Sequence, residues 1–190
     1  MKTEPRAFTG WGRTAPTMAT LVRATADELN GDAGLTSVIG ARGAIARGLG
    51  RSYGDPAQNG GGAVIELLPG DDPIRLDTEA GIAHVDAGVS LDALLRDMVP
   101  RGWFVPVTPG TRFVTVGGAV ACDIHGKNHH ADGSFGAHCT RLGMLLADGS
   151  RRSITPDDDP ELWSATVGGM GLTGLITDVS FKMIPIETRY

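Results

Sequence analysis

Gly169-Met-Gly-Leu-Thr-Gly174 has the GxGxxG spacing, and the way it is read decides the fold. In the dinucleotide-binding fingerprint such glycines follow a strand and open a helix, with an acidic residue further on. Glu187 stands at a suitable distance downstream, but the flanks are in the wrong order. Glu161 to Val167 has the look of one or two helical turns, and Leu175 to Ile184 alternates as a closing strand. A helix that runs into a strand cannot present a helix N-terminus to a pyrophosphate, so the chain is not Rossmann-like. The glycines are expected instead to let the chain pass closely by a ligand or by another loop.

Working outward, Arg141 to Ala147 and Arg151 to Ile154 flank Asp148-Gly149, a hairpin signal. Before them lies a long irregular segment from Pro109 to Gly136, preceded by a strand over Trp103 to Val107. Ser90 caps a helix that shows Leu91, Leu94, Leu95 and Met98 on one face and stops near Pro100-Arg101-Gly102. Ile74 to Thr78 and Ile82 to Ala87 read as strands joined by the turn Glu79-Ala80-Gly81. Ala63 to Leu68 is another strand, ended by Pro69-Gly70, and Ala44 to Arg47 is a short buried strand entering a glycine-rich loop. Asp27 to Ala41 has weak periodicity and three glycines, so no helix is expected there. The fold class is α+β: small sheets, few helices and long glycine-rich loops facing one cleft, in a length that suits one domain or two small lobes.

Composition narrows the function. The chain has 190 residues, 41% hydrophobic and 21% charged, as ordinary globular domains have. Its 17 basic and 22 acidic residues leave a net charge of -5, which argues against a nucleic-acid platform and leaves local donors to hold any anion. No apolar run approaches the roughly 20 residues of a membrane span, and MKTEPRAFTGWGRTAP has no signal-peptide pattern, so the cytoplasm is the expected location. Cys122 and Cys139 form no CxxC and are expected to be thiols. The 28 glycines are about twice the usual share of roughly 7% and cluster without a period, which marks backbone that turns sharply or approaches something closely.

Two segments carry the chemistry. In Arg47-Gly-Leu-Gly-Arg-Ser-Tyr-Gly-Asp55, glycines at 48, 50 and 54 let backbone N–H groups converge on a phosphate, with Arg47 and Arg51 supplying charge; the plain alternative is a surface turn. No Gly-Lys-Ser/Thr follows, so it is not a P-loop. In the second, Thr115-Val-Gly-Gly-Ala119 offers small residues against which a flat, extended ligand can lie, before Asp123, His125 and Lys127. His125, His129 and His130 suggest a metal, but Gly126 and Lys127-Asn128 disfavour the helix that would gather them, and no metal is expected. His84 and His138 lack evident partners, and Trp11, Trp103 and Trp163 read as core or cleft walls.

RGLGRSYGD (47–55), PGTRFVTVGGAVACDIHGKNHH (109–130), SFGAHC (134–139) and ATVGGMGLTGLI (165–176), in this order, resemble the FAD-linked oxidases of the vanillyl-alcohol oxidase type. The likeness runs from about Arg6 to Glu187. It implies FAD sandwiched between two small α/β lobes, of about residues 1–100 and 101–190. Ala46, Arg47, Gly48, Leu49, Gly50, Arg51, Ser52, Tyr53, Gly54 and Asp55 would wrap the pyrophosphate. Gly110, Thr111, Thr115, Val116, Gly117 and Gly118 would run along the diphosphate and flavin, and Cys122, Asp123, Ile124 and His125 would pass beside the isoalloxazine. Ile176 would touch the cofactor from the last strand.

His125 and Lys127 would face the substrate as catalytic residues. The activity implied is hydride transfer from a sugar carbon bearing a hydroxyl, the ribose 2′-position of a polyprenyl-phosphate sugar, with a partner reductase downstream. Arg51 stands where many relatives tether FAD through a His, and no Cys occurs from Pro109 to Gly118, so the cofactor is expected to be non-covalent. Pro56 replaces a usual Asn. Enzymes of this family run to more than twice this length, so a substrate domain is expected to be absent and the chain incomplete as a catalyst. Two other readings remain beside it: a flavin-binding or interaction module without turnover, and a metal-binding protein built on the histidines.

Overall fold

The computed structural model describes residues 1–13, 15–30 and 34–187. The chain opens with β1 (Lys2–Phe8) and β2 (Thr17–Ala24), an antiparallel pair that the sequence reading does not foresee. The reason is visible in β1: only Phe8 is buried, so this polar edge strand carries no alternating signal. Two short helices follow, α1 (Ala26–Asn30) and α2 (Leu35–Val38), which correct the expectation of no helix from Asp27 to Ala41. The start of α1 is a capping box: Glu28 N–H donates to Thr25 Oγ1 at 3.2 Å, and Thr25 N–H donates to the Glu28 carboxylate at 2.9 Å. Residues 31–33 lie outside the described residues.

The crossover returns to β3 (Ala44–Ala46) and then β4 (Ala63–Leu67), both close to expectation. The first sheet has the order β1-β2-β4-β3, with β2 and β3 both parallel to β4.

β5 (Ile74–Asp77) and β6 (Ile82–Asp86) form the expected hairpin, and α3 (Leu91–Met98) follows. Ser90 caps α3 by accepting the Ala93 N–H at 3.1 Å, and Leu91, Leu94 and Met98 are buried, as read. Of the strand expected over Trp103 to Val107, only β7 (Trp103–Phe104) is paired; Val105 and Val107 are core residues in irregular backbone. The segment read as irregular contains α4 (Val116–Ala121), α5 (His129–Asp132) and a 3-10 turn, Phe135–His138. Two adjacent glycines hide α4 in the sequence, and its Thr115 cap compensates for them.

β8 (Cys139–Leu145) and β9 (Arg151–Ile154) pair across Asp148-Gly149, then α6 (Pro160–Thr166), β10 (Leu175–Lys182) and β11 (Ile184–Pro185) complete the chain. Gly169 to Gly174 thus lies between a helix and a strand, as its flanks imply. The second sheet has the order β5-β6-β10-β8-β9 and is antiparallel throughout, with β10 in the middle. Its core gathers Leu91, Leu94, Val116, Leu142, Val179 and the Phe135–Phe181 ring pair, 5.1 Å apart. Leu145 and Leu175 of this sheet join Val22, Ala24 and Ile65 of the first in a shared cluster. Sequence places the change of lobe near residue 100, whereas the strand pairing changes sheet between Leu67 and Ile74. Among the described residues no helix is long and apolar enough to cross a membrane.

Candidate cofactor site

The glycine loop after β3 is held from behind. Arg47 N–H donates to Ile65 O at 2.8 Å, and the Arg47 guanidinium donates to Thr9 O at 2.8 Å and Ala57 O at 3.0 Å. It also lies over the Phe8 ring at 5.2 Å, and burial draws its pKa below the usual arginine value. Arg51 donates from Nε to Phe113 O at 3.0 Å and covers the exposed Trp11 ring at 4.3 Å. Both cations expected to face a phosphate are thus engaged with carbonyls and rings; Trp11 is half-exposed rather than a core residue.

The N-terminal segment is the other clamp, and sequence reading misses it. Trp11 N–H donates to Ser52 O at 2.7 Å and Gly12 N–H to Tyr53 O at 3.0 Å, while a Cβ on Gly10 would stand 1.8 Å from Gly54 O. Among the described residues, the backbone N–H groups from Gly48 to Asp55 donate to no protein acceptor. These N–H groups are free donors, as are the terminal N–H groups of Arg51, which uses only its Nε–H.

α4 faces this loop. Thr115 Oγ1 accepts the Gly118 N–H at 3.1 Å, and the N–H groups of Val116 and Gly117 donate to Val89 O (2.8 Å) and Ala87 O (2.9 Å). The first turn of α4 therefore has its donors satisfied within the protein. A Cβ on Gly48 would meet Thr115 Oγ1 at 2.4 Å, and one on Gly117 would meet the Ala87 side chain at 2.8 Å. Small residues here first serve close packing of the loop, the helix and the Ala87-Gly88 corner.

Between these parts lies a cleft of two adjoining chambers, which share Gly48, Thr115, Gly118 and Met170. Ala46, Arg47, Gly117 and Ile176 line the inner chamber, together with Ile65, Leu67, Ala87 and Leu175. Leu49, Gly50, Arg51, Ser52, Tyr53, Gly54, Thr111, Cys122 and Ile124 line the outer one. Gly110 borders a further hollow beside Trp11 and Phe113.

Five expected residues line none of these spaces. Asp55 is exposed outside them, and Val116 is fully buried in the core. Asp123, with φ +40, accepts Ser134 Oγ–H at 2.7 Å and Gly136 N–H at 2.8 Å, so its carboxylate organises its own loop. His125 and Lys127 are exposed just beyond Ile124. Among the described residues no group of three His, Cys, Asp or Glu side chains is arranged to hold a metal ion. His84 and His138 do have partners, Ser180 Oγ and Asp132 O, each at 2.8 Å.

Residues 42–155 match a family described as FAD binding domain. The chain belongs to this family. It is 50% identical over 190 residues to decaprenylphosphoryl-beta-D-ribose oxidase of Mycolicibacterium smegmatis, covering 99% of this chain and 41% of that protein. It is 30% identical over 116 residues to the Delta(24)-sterol reductase of Rattus norvegicus, 61% of this chain and 22% of that protein. It is 28% identical over 131 residues to the D-lactate dehydrogenase of Anaerostipes hadrus, 66% of this chain and 28% of that protein. The chain thus spans less than half the length of these relatives. A ribose, a sterol and lactate share little beyond redox chemistry, so the common segment is the part that serves the cofactor, FAD.

The geometry of this FAD binding domain fits its cofactor. The cleft offers apolar walls in its inner chamber, as pockets for organic ligands do. The loop from Gly48 to Gly54, which lines the cleft, carries backbone N–H groups without protein acceptors. Met170, Gly171 and Gly174 of the GxGxxG segment also line the inner chamber, so that motif touches the ligand space without being a Rossmann turn. Leu67, Ala87 and Gly88 line it too, with no motif to announce them. Cys122 is exposed on the wall, 3.8 Å from Met170 Sδ, whereas burial pushes the Cys139 thiol far up and leaves it inert.

Proposed function

We propose that this FAD binding domain holds FAD non-covalently and forms the cofactor half of an oxidoreductase that oxidises a sugar hydroxyl. The observation that carries the reading is the loop of unpartnered N–H groups, Gly48 to Asp55, set against an apolar two-chambered cleft. Backbone donors fixed by Arg47, Gly10 and Trp11 bind the diphosphate without reorganising. Ile65, Leu175 and Ile176 would hold one end of the cofactor in the inner chamber, and Cys122 and Ile124 would border the flavin at the outer end. When bound, FAD supplies a two-electron acceptor for the hydride of an alcohol carbon.

Loss of that hydride must be matched by loss of the hydroxyl proton. His125, one residue beyond the chamber wall at Ile124, is the base candidate, with Lys127 as its neighbour on the substrate side. The sugar class comes from the likeness to the ribose oxidase, of which more than half the length lies outside the match. The ribose 2′-hydroxyl of a polyprenyl-phosphate sugar, and a separate reductase acting on the product, complete the proposal.

The test is the visible spectrum of the purified chain before and after acid precipitation, run beside Ala46→Trp. Ala46 lines the inner chamber, across which a Cβ on Gly171 would lie 3.8 Å from it, so an indole there fills ligand space. Flavin colour that passes into the acid supernatant, and its loss in a folded Ala46→Trp, are the expected results. Full flavin content in that variant would remove the cofactor from the cleft, and colour retained in the pellet would refute the non-covalent mode.

A further inference from the structure

From Ile124 to Phe135 the chain forms a short arch at the outer rim of the cleft, and its backbone is pinned. Phe135 N–H donates to Ile124 O at 2.8 Å, His125 bridges Ser134, and Asn128 Nδ2 donates to Pro106 O at 3.0 Å. Gly126 is buried so closely that a Cβ would stand 2.7 Å from Thr108 O. On this rigid support stand His125, Lys127, His129 and His130, all exposed. The His125 and His129 rings are 5.4 Å apart, and those of His129 and His130 are 4.1 Å apart.

Among the described residues, none of these four side chains makes a hydrogen bond or ion pair with the protein. The acids of the arch are already engaged: Asp123 with Ser134 and Gly136, and Asp132 with the Asn128 amide at 2.7 Å. Four of the five histidines and one of the three lysines fall between residues 125 and 138 of a chain whose net charge is -5, so N–H donors are concentrated here.

We propose that Lys127, His129 and His130 receive the phosphoryl group of the substrate, a glycosyl phosphate ester whose sugar reaches into the cleft past His125. This rests on the oxidoreductase reading above and adds the recognition of the anionic end. Lysine contributes a point charge and the imidazoles contribute directional N–H donors, which together suit the several acceptor oxygens of a phosphate. The pinned backbone leaves only the side chains to be ordered on binding.

The experiment is an NMR titration of the flavin-loaded chain with ribose 1-phosphate and, separately, with ribose, following the imidazole resonances. The signals of His129 and His130 are expected to move saturably with ribose 1-phosphate alone, while His84, on β6, stays still. The double variant His129→Gln/His130→Gln should weaken that binding by about tenfold or more, equivalent to about 1.4 kcal/mol, with flavin content unchanged. Lys127→Ala should weaken it as well, which guards against a local effect of the double change. Equal shifts with ribose, no shift, or undiminished affinity in both variants would overturn the proposal. Flavin content is read in the same samples: a chain that never takes up FAD refutes the oxidoreductase reading, while the phosphate titration of the apo chain still reports on the arch.

Discussion

Arg47 and Arg51 look equivalent in the sequence, two cations in one glycine loop, but their partners differ: Arg51 donates from Nε alone, to Phe113 O. The Arg47 fork holds two carbonyls, Thr9 and Ala57, that only the folded chain brings to it. A lysine carries a single ammonium and cannot reproduce the planar fork. Arg47→Lys is therefore expected to lower stability by about 1.5 kcal/mol in urea denaturation and to loosen the loop. An unchanged midpoint would mean the two bonds contribute nothing net. The thiols make a second contrast at this scale. With Cys122 exposed and Cys139 buried, Ellman's reagent should titrate one thiol in the native chain and the second only after unfolding. Added FAD should slow the first reaction if the cofactor covers the outer chamber. Sequence made the glycine loop legible because its residue types carry their own conformational meaning. The tasks of its arginines were not legible, because a carbonyl acceptor leaves no trace in residue identity.

Elements were legible where periodicity and a cap agreed. α3 shows both, Ser90 ahead of Leu91, Leu94 and Met98, and it forms as read. Ser90→Ala should cost about 1 kcal/mol by removing the acceptor of the Ala93 N–H, with no loss of flavin. α4 was hidden by its glycines, and β1 by its polar edge, so both had to await tertiary context. α1 is a different miss: Thr25 and Glu28 spell a capping box, a signal that begins at Thr25, outside the weakly periodic stretch and its three glycines. β1 and the turn after it matter for the site because they place Gly10 against Gly54. Gly10→Ala should push the glycine loop away and weaken FAD binding by about tenfold or more, with both sheets intact by circular dichroism. Retention of full affinity would show that the loop does not depend on this clamp.

At the level of the whole molecule, the two sheets meet along strands that carry charge as well as apolar side chains. Asp86 on β6 lies opposite Asp178 on β10. Burial raises the Asp86 carboxyl above its ordinary value of 3.8; the Gly70 N–H opposes the shift and Asp178 adds to it. A raised carboxyl favours the protonated fold, so this contribution is full below about 3.8 and fades as pH rises through the higher folded value. Asp86→Asn, which stays neutral, should melt above the parent at pH 7, with the gap closing towards pH 4; a constant gap would assign the effect to packing. The overall architecture was readable in outline, since two sheets around one cleft follow from the motif flanks, but the place where the sheets divide was not. β5 and β6 join the second sheet through β10, and a pairing across so much intervening chain has no local signature. That central position of β10 also sets a timetable. While the ribosome is still making residues before Leu175, β6 and β8 wait with open edges and nothing to hold them together, an interval in which a chaperone or a second nascent chain can capture them. Leu175 and Ile176 are also walls of the cleft, so the cofactor has nowhere to dock until this strand arrives. Flavin is thus a late arrival in the assembly of this domain, able to dock only on a second sheet whose middle strand is in place.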